Sequence, residues 1–198
     1  MFILISAIIS AQLLAIFEPS KDSKVALAQP TANFGKAKYM MVSDKINAAD
    51  RSYLEFNMSG SGLSNINDAE LRVWVYQTGK NAVGSEIQAW YCANVTFHEL
   101  TINWKNQPAR WHKNGSHLSK NCTLADSYII ANKVSDGLPE AFHSWDLTAA
   151  VNDALSNDNL FTIALKHDTE SSPNNFQYVQ YLTRNYTEAA FRPQLVIS

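Results

Sequence analysis

ELRVWVY, residues 70–76, decides the fold class. Its residues alternate strictly, with Leu71, Val73 and Val75 on one side and Arg72, Trp74 and Tyr76 on the other. A period of two is that of a β-strand with one face in a core and the other turned outward. The next apolar stretch, EIQAWYCANV over 86–95, repeats the pattern, with Ile87, Ala89 and Tyr91 opposite Gln88, Trp90 and Cys92. Working outward, further strands are predicted over 38–42, 52–58, 127–131, 142–146, 160–166, 177–182 and 194–197. Turn-rich clusters such as SGSGLSNIND, TGKNAVGS, WHKNGSHLSKN and DTESSPNN separate them. One helix is predicted over 148–155, where Asp146 or Thr148 can cap and Ala149, Val151 and Leu155 share a face. Many short strands without intervening helices predict an all-β protein, a two-sheet antiparallel sandwich with one short helix.

Composition sets the outer bounds. The chain has 198 residues, enough for one domain with a substantial core, and 46% apolar against 17% charged residues is an ordinary globular balance. A net charge of −2 offers no field for condensation onto nucleic acid, which excludes that partner class. Residues 1–17, MFILISAIISAQLLAIF, are apolar and uncharged, shorter than a comfortable membrane span and suited to a secretory leader. Ala26-Leu27-Ala28 supplies a small-x-small cleavage pattern, so residues 1–28 are expected to be a signal peptide or N-terminal membrane segment, and 29–198 a single domain. Two features fit this badly: no Lys or Arg precedes the apolar run, and Lys21 and Lys24 follow it.

HELTINWKNQPAR, residues 98–110, opens like a zinc-protease helix. Zinc ligation there needs a second histidine one turn after His98, and position 102 is Ile. Thr101, Ile102 and Trp104 favour extended structure and Pro108 stops any helix, so the zinc reading fails.

Two cysteines, Cys92 and Cys122, suit a disulfide in an oxidising compartment, closing a loop of about 31 residues and constraining the unfolded chain by roughly 3–4 kcal/mol. Glycosylation sequons begin at Asn57, Asn94, Asn114, Asn121 and Asn185. Together with the leader they predict an extracellular protein, secreted or held at the cell surface.

With these segments placed, the chain resembles the DNRLRE-type domain, carbohydrate-binding module family 96, a jelly-roll β-sandwich of secreted proteins. The resemblance rests on blocks in the family's order over 30–198: ANFGKAKYMMV (32–42), RSYLEFNMS (51–59) followed by INDAELRVWVY (66–76), FHELTINWKNQPA (97–109), HSWDLTAAV (143–151) and YLTRNYTEAAFRPQLVI (181–197). It departs from the family at Asn103, where Thr is usual, at Lys105, where Asn is usual, and at Asn185, which replaces an acidic residue after Arg184. In this context the Trp104 block is expected to latch a loop onto the sandwich, with Glu99 or Asn106 satisfying backbone groups.

Catalytic signals are missing. There is no Gly-x-Ser-x-Gly elbow and no phosphate-cradling glycine loop, and His98, His112, His117, His143 and His167 lack ligand spacing. The expected function is therefore non-catalytic. The resemblance implies recognition of polysaccharide, including acidic glycans, by cationic side chains and aromatic faces. The basic candidates nearest the matched blocks are Lys36, Lys38, Arg51 and Arg184, with Trp74 and Trp90 as ring platforms. A jelly roll can also carry a structural Ca²⁺, for which Asp44, Asp50 and Asp68 are loop donors. The competing expectation is a structural subunit that self-associates into a filament, surface layer or matrix, through its apolar N-terminus or by strand addition. A terminal segment folded into its own sheet favours the binding module; a free extended one favours polymerisation.

Overall fold

The computed structural model describes residues 15–108, 122–135, 141–170 and 176–198. Eleven strands form in chain order: β1 (Ala15–Phe17), β2 (Lys21–Ala26), β3 (Tyr39–Ser43), β4 (Asp50–Asn57), β5 (Ala69–Thr78), β6 (Glu86–Cys92), β7 (Cys122–Ile129), β8 (Ala141–Asp146), β9 (Leu160–His167), β10 (Tyr178–Leu182) and β11 (Gln194–Ile197). The helix α1 (Thr148–Ser156) and a 3₁₀ turn (Ala189–Phe191) complete the chain. Among the described residues no helix is long and apolar enough to cross a membrane.

The fold is all-β and antiparallel, with the one short helix at the expected place. The two separate sheets of the expected sandwich are instead one continuous eleven-stranded sheet that curls on itself. Two long strands organise it. β5 carries β8 along one edge and β10 and β11 in tandem along the other, while β4 carries β2 on one edge and β9, then β6 and β7, on the other. The halves join through β3, which pairs fully with β10 but meets β4 only at Ser43 opposite Asp50.

The halves share one interior. Val73 and Val75 of β5, Trp145 of β8 and Tyr181 of β10 meet Leu54 and Phe56 of β4, Ile87 of β6 and Ile163 of β9 in a single buried cluster. Trp145 fills its centre and donates its indole N–H to the Ile87 carbonyl at 3.0 Å, which satisfies the one polar atom such a ring brings inside. Helix α1 closes the end through Ala150, Val151, Ala154 and Leu155. The N-cap position is Leu147 and no side chain caps the helix, so neither Asp146 nor Thr148 takes the expected capping role. Asp146, one residue earlier, accepts instead from the Thr148 backbone N–H and hydroxyl.

Residues 15–26, expected to fall in a leader ending at Ala28, form β1 and β2. Strand β1 pairs with β11, and β2 pairs with β4 over its whole length. Val25 is fully buried and Asp22 is 1% exposed.

Strand β4 is buried on both faces because the 97–108 segment roofs it. Beneath that roof lies a second cluster of Val25, Tyr53, Cys92, Phe97, Ile102, Cys122 and Ala164, with Trp90 and Trp104 packed against it. The predicted Cys92–Cys122 disulfide is present and joins directly paired positions of β6 and β7. The roof is the expected latch. Glu99 accepts the Asp22 N–H, and Asn106 accepts the Asn103 N–H and donates to the Thr101 carbonyl. The Asn33-Phe34-Gly35 turn docks on the same segment, as Asn33 Nδ2 donates to the Glu99 and Ile102 carbonyls. Gly35 is required there: a Cβ on it would lie 2.2 Å from the Glu99 carbonyl oxygen.

Candidate functional site

The outward side of β5 carries an extended aromatic surface. Because its inward positions are taken by Leu71, Val73 and Val75, alternation turns Arg72, Trp74 and Tyr76 outward as half-buried side chains. Register sets Phe142 of β8 directly opposite Trp74. Tyr39, at the start of β3, lies against Tyr76, and the 183–191 loop lays Tyr186 and Phe191 between them.

These six rings form an unbroken series. From Phe142 to Trp74 the centroids are 5.4 Å apart, from Trp74 to Phe191 5.1 Å, from Phe191 to Tyr186 6.5 Å, from Tyr186 to Tyr39 6.4 Å, and from Tyr39 to Tyr76 4.3 Å. The Phe142–Trp74, Trp74–Phe191 and Phe191–Tyr186 contacts are edge-to-face, a favoured geometry for aromatic pairs, and the two Tyr39 contacts are tilted. Neighbours hold each ring, yet Phe142 remains 40% exposed and the others are only partly buried. Arg72 stands over the Phe142 ring at 5.5 Å with its charge paired to Glu70, and exposed Lys38 precedes Tyr39.

The same face continues along β10 to a basic corner. Tyr178 accepts a hydrogen bond from Gln77 Nε2 at 3.0 Å, and its ring lies 5.0 Å from that of Phe176. Lys45 sits over Phe176 at 5.5 Å, and exposed Lys80 and Lys133 flank a cavity of about 530 Å³ at Tyr178. Ammonium groups beside ring faces suit an anionic ring compound: the faces take apolar C–H surface and the ammoniums take carboxylate or sulfate.

A larger cleft of about 610 Å³ opens where β7 and the start of α1 approach one another. Its polar lining has the opposite sign, with Asp146 and Asp153 at its walls. Both carboxylates are engaged: Asp146 by Thr148, which holds its pKa below the usual carboxylate value, and Asp153 by the Tyr91 hydroxyl at 2.8 Å. Burial, reinforced by Asp153, pushes the Tyr91 phenol upward, so it stays a donor to that carboxylate.

The structure divides the residues singled out from sequence. Trp74 falls on the aromatic face, and exposed Lys38 is the residue before Tyr39. Lys36 lies with Asn33, Phe34 and Leu100 around a separate cavity of about 410 Å³. Lys36 and Lys38 do not alternate along a strand, because β3 begins only at Tyr39. Arg51 is 2% exposed: Nε and Nη2 donate to the two Glu170 oxygens at 2.8 and 2.6 Å, and its guanidinium lies 4.2 Å from the Trp104 ring centroid. Gln107 Oε1 accepts from both Arg51 Nη1 and the Tyr53 hydroxyl. Arg184 is held by both Glu99 oxygens. Trp90 packs on the second cluster beneath the roof.

The three aspartates considered for Ca²⁺ are otherwise engaged. Asp44 accepts the Gln177 N–H, Asp50 accepts the Ser43 hydroxyl and faces Lys24, and exposed Asp68 accepts the Ser198 hydroxyl. Among the described residues they do not gather into a metal-binding group. Of the sequons, Asn57, Asn94 and Asn185 are exposed, and the Asn185 amide donates to the Gly35 carbonyl at 3.2 Å. Asn114, Asn121, His112 and His117 lie outside the described residues.

Sequence reasoning missed Tyr39, Tyr76, Phe142, Tyr186 and Phe191. The alternation that flags Trp74 also flags Tyr76 and Phe142; Tyr186 and Phe191 carry no periodic signal, because a loop brings them in.

The family model for carbohydrate-binding module family 96 matches residues 14–198. The match takes in β1 and β2 as well as the strands read from sequence. No curated protein matches the chain.

Proposed function

Because the chain belongs to carbohydrate-binding module family 96, whose name implies non-catalytic carbohydrate binding, we propose that it holds polysaccharide on the outward face of β5, β8 and β3. The observation that carries this reading is the six-ring series from Phe142 to Tyr76. A pyranose ring has apolar C–H faces and a polar rim. Aromatic platforms fixed by their neighbours bind the C–H faces at little ordering cost. Trp74 and Tyr39 are the central platforms, Lys38 lies alongside, and Lys45, Lys80 and Lys133 favour an acidic glycan running toward the basic corner. Arg51, Arg184 and Trp90 leave this reading, since each is committed to the roof over β4.

The domain is read as starting near residue 14, with β1 and β2 retained. Their pairing with β11 and β4 supports the binding module over a polymer built by donating this segment. The curled sheet is read as a jelly roll whose two halves meet across the shared core. The disulfide supports an extracellular location, and exposed Asn57 and Asn94 are the sequons best placed for glycan attachment.

The test is titration of the full chain with soluble polysaccharides, acidic and neutral, by isothermal calorimetry. Trp74→Ala is expected to lose at least about tenfold in affinity, ~1.4 kcal/mol, while folding is retained. Wild-type affinity in that variant sinks the assignment of this face.

A further inference from the structure

The aromatic face has a support outside the sheet. Tyr186 and Phe191 stand on a loop and a 3₁₀ turn, where no ladder of strand hydrogen bonds fixes them. Yet among the described residues they link Trp74 to the Tyr39–Tyr76 pair: Phe191 is 5.1 Å from Trp74 and Tyr186 is 6.4 Å from Tyr39. Something must set that loop against the sheet.

Arg192 is placed to do so. It follows the 3₁₀ turn directly, and Pro193 after it keeps its backbone extended, at φ −72° and ψ 156°. Its Nε donates to the Tyr186 carbonyl at 3.1 Å, tying the two ends of the loop together. Its Nη1 reaches Glu18 Oε2 at 3.3 Å, in the segment just after β1. Strand β1 is itself paired to β11, the strand Arg192 leads into. The guanidinium is thus shared between the loop that carries the rings and the N-terminal segment that clamps the C-terminal strand.

The geometry assigns Arg192 as a positioning residue of the saccharide face: through the Tyr186 carbonyl and Glu18 it holds the Tyr186–Phe191 pair in line with Trp74 and Tyr39. This rests on the saccharide reading above. It adds that the N-terminal segment supports the binding face and that the Arg192 charge is spent on protein groups, not on a glycan carboxylate. The opposite role, a cation that contacts acidic glycan, makes the opposite forecast for Glu18. Removing Glu18 would free such a cation and strengthen binding, whereas removing a support weakens it.

The experiment uses the full chain with polygalacturonate and polymannuronate as probes, in wild type, Trp74→Ala, Arg192→Ala, Arg192→Lys and Glu18→Ala. The expected result is that Arg192→Ala weakens polyuronate binding about three- to tenfold, near the net worth of one ordinary hydrogen bond. Arg192→Lys fails to restore it, because lysine lacks the planar fork that serves both partners. Glu18→Ala weakens it in the same direction by about twofold, as a partly exposed ion pair should. In each of these variants the Tyr186 and Phe191 ring resonances shift, while those of buried Tyr53 and Tyr181 stay in place. Stronger binding in Glu18→Ala, or full rescue by Arg192→Lys, overturns the assignment and makes Arg192 a ligand contact. Unmoved Tyr186 and Phe191 resonances overturn it regardless of binding. If Trp74→Ala binds as wild type does, the saccharide reading fails on its own, and the ring resonances still decide whether Arg192 sets the pair.

Discussion

Arg51 lies against Trp104, with 4.2 Å between guanidinium carbon and ring centroid, while its Nε and Nη2 donate to Glu170 and its Nη1 to Gln107. The two residues stand 53 positions apart in sequence, and their contact fastens the roof onto β4. The cation is almost fully enclosed, so the roof needs its counter-charge as well as its apolar packing.

Glu170→Ala should therefore destabilise the fold by about 3–5 kcal/mol, the usual consequence of leaving a buried charge without its partner. Chemical denaturation of the variant against wild type measures this. A loss under about 1 kcal/mol would mean that water enters and Arg51 is solvated in place.

Replacing both cysteines, Cys92→Ala with Cys122→Ala, should cost about 2–4 kcal/mol. The bond closes the 93–121 excursion that carries the Trp104 latch, so the roof should open before the shared core does. Hydrogen exchange should show loss of protection first at Ile102 and Phe97, with Leu54 and Val73 protected until global unfolding.

Acid–base behaviour should reveal two opposed groups. Burial, with Glu99 adding to it, pushes Asp22 up to about 7 against 3.8 in an unfolded chain. The folded protein thus keeps a proton that the unfolded chain releases, and this contribution to stability fades as pH rises from about 4 to 7. Burial lowers His143 from 6.5 to about 4, so the folded protein refuses a proton that the unfolded chain accepts. That contribution is complete above pH 6.5 and is lost as pH falls toward 4. In wild type the two slopes offset each other between these limits. Asp22→Asn should unmask stability that rises with pH, and His143→Gln stability that falls with it. Melting temperatures from pH 4 to 7 give the check, and parallel profiles for the two variants would contradict it.

A chain beginning at Gln29 should not fold stably. It lacks β1 and β2, the Val25 contribution to the second cluster, and the Asp22 carboxylate that accepts the Arg184 N–H. Far-ultraviolet circular dichroism and thermal melting of that truncation, beside a chain beginning at residue 14, settle whether the segment belongs to the domain.

Much of this architecture is legible in the sequence, because alternation is a local signal. ELRVWVY reads as a strand whether or not its partners are known, and the helix over 148–156 appears within one residue of its prediction. Strands β1 and β2 escape for a physical reason. The apolar run before them dominates any reading, and KDSKVA hides its pattern behind charged residues whose partners Glu55, Asp50 and Glu99 lie far along the chain. Arg51 reads as a surface cation for the same reason: its burial comes from Trp104, Gln107 and Glu170, all more than 50 residues away. The candidate site divides likewise. Trp74 is visible through its period, and Tyr186 and Phe191 are visible only once the loop is folded onto the sheet.

The most direct test of the central claim is calorimetric titration of wild type and Trp74→Ala with an acidic polysaccharide, repeated at low and high salt. Binding by wild type that weakens with salt, and falls at least about tenfold in Trp74→Ala with the fold intact, is the predicted result. Equal affinity in the two proteins would contradict it and move the binding surface away from the outward face of β5.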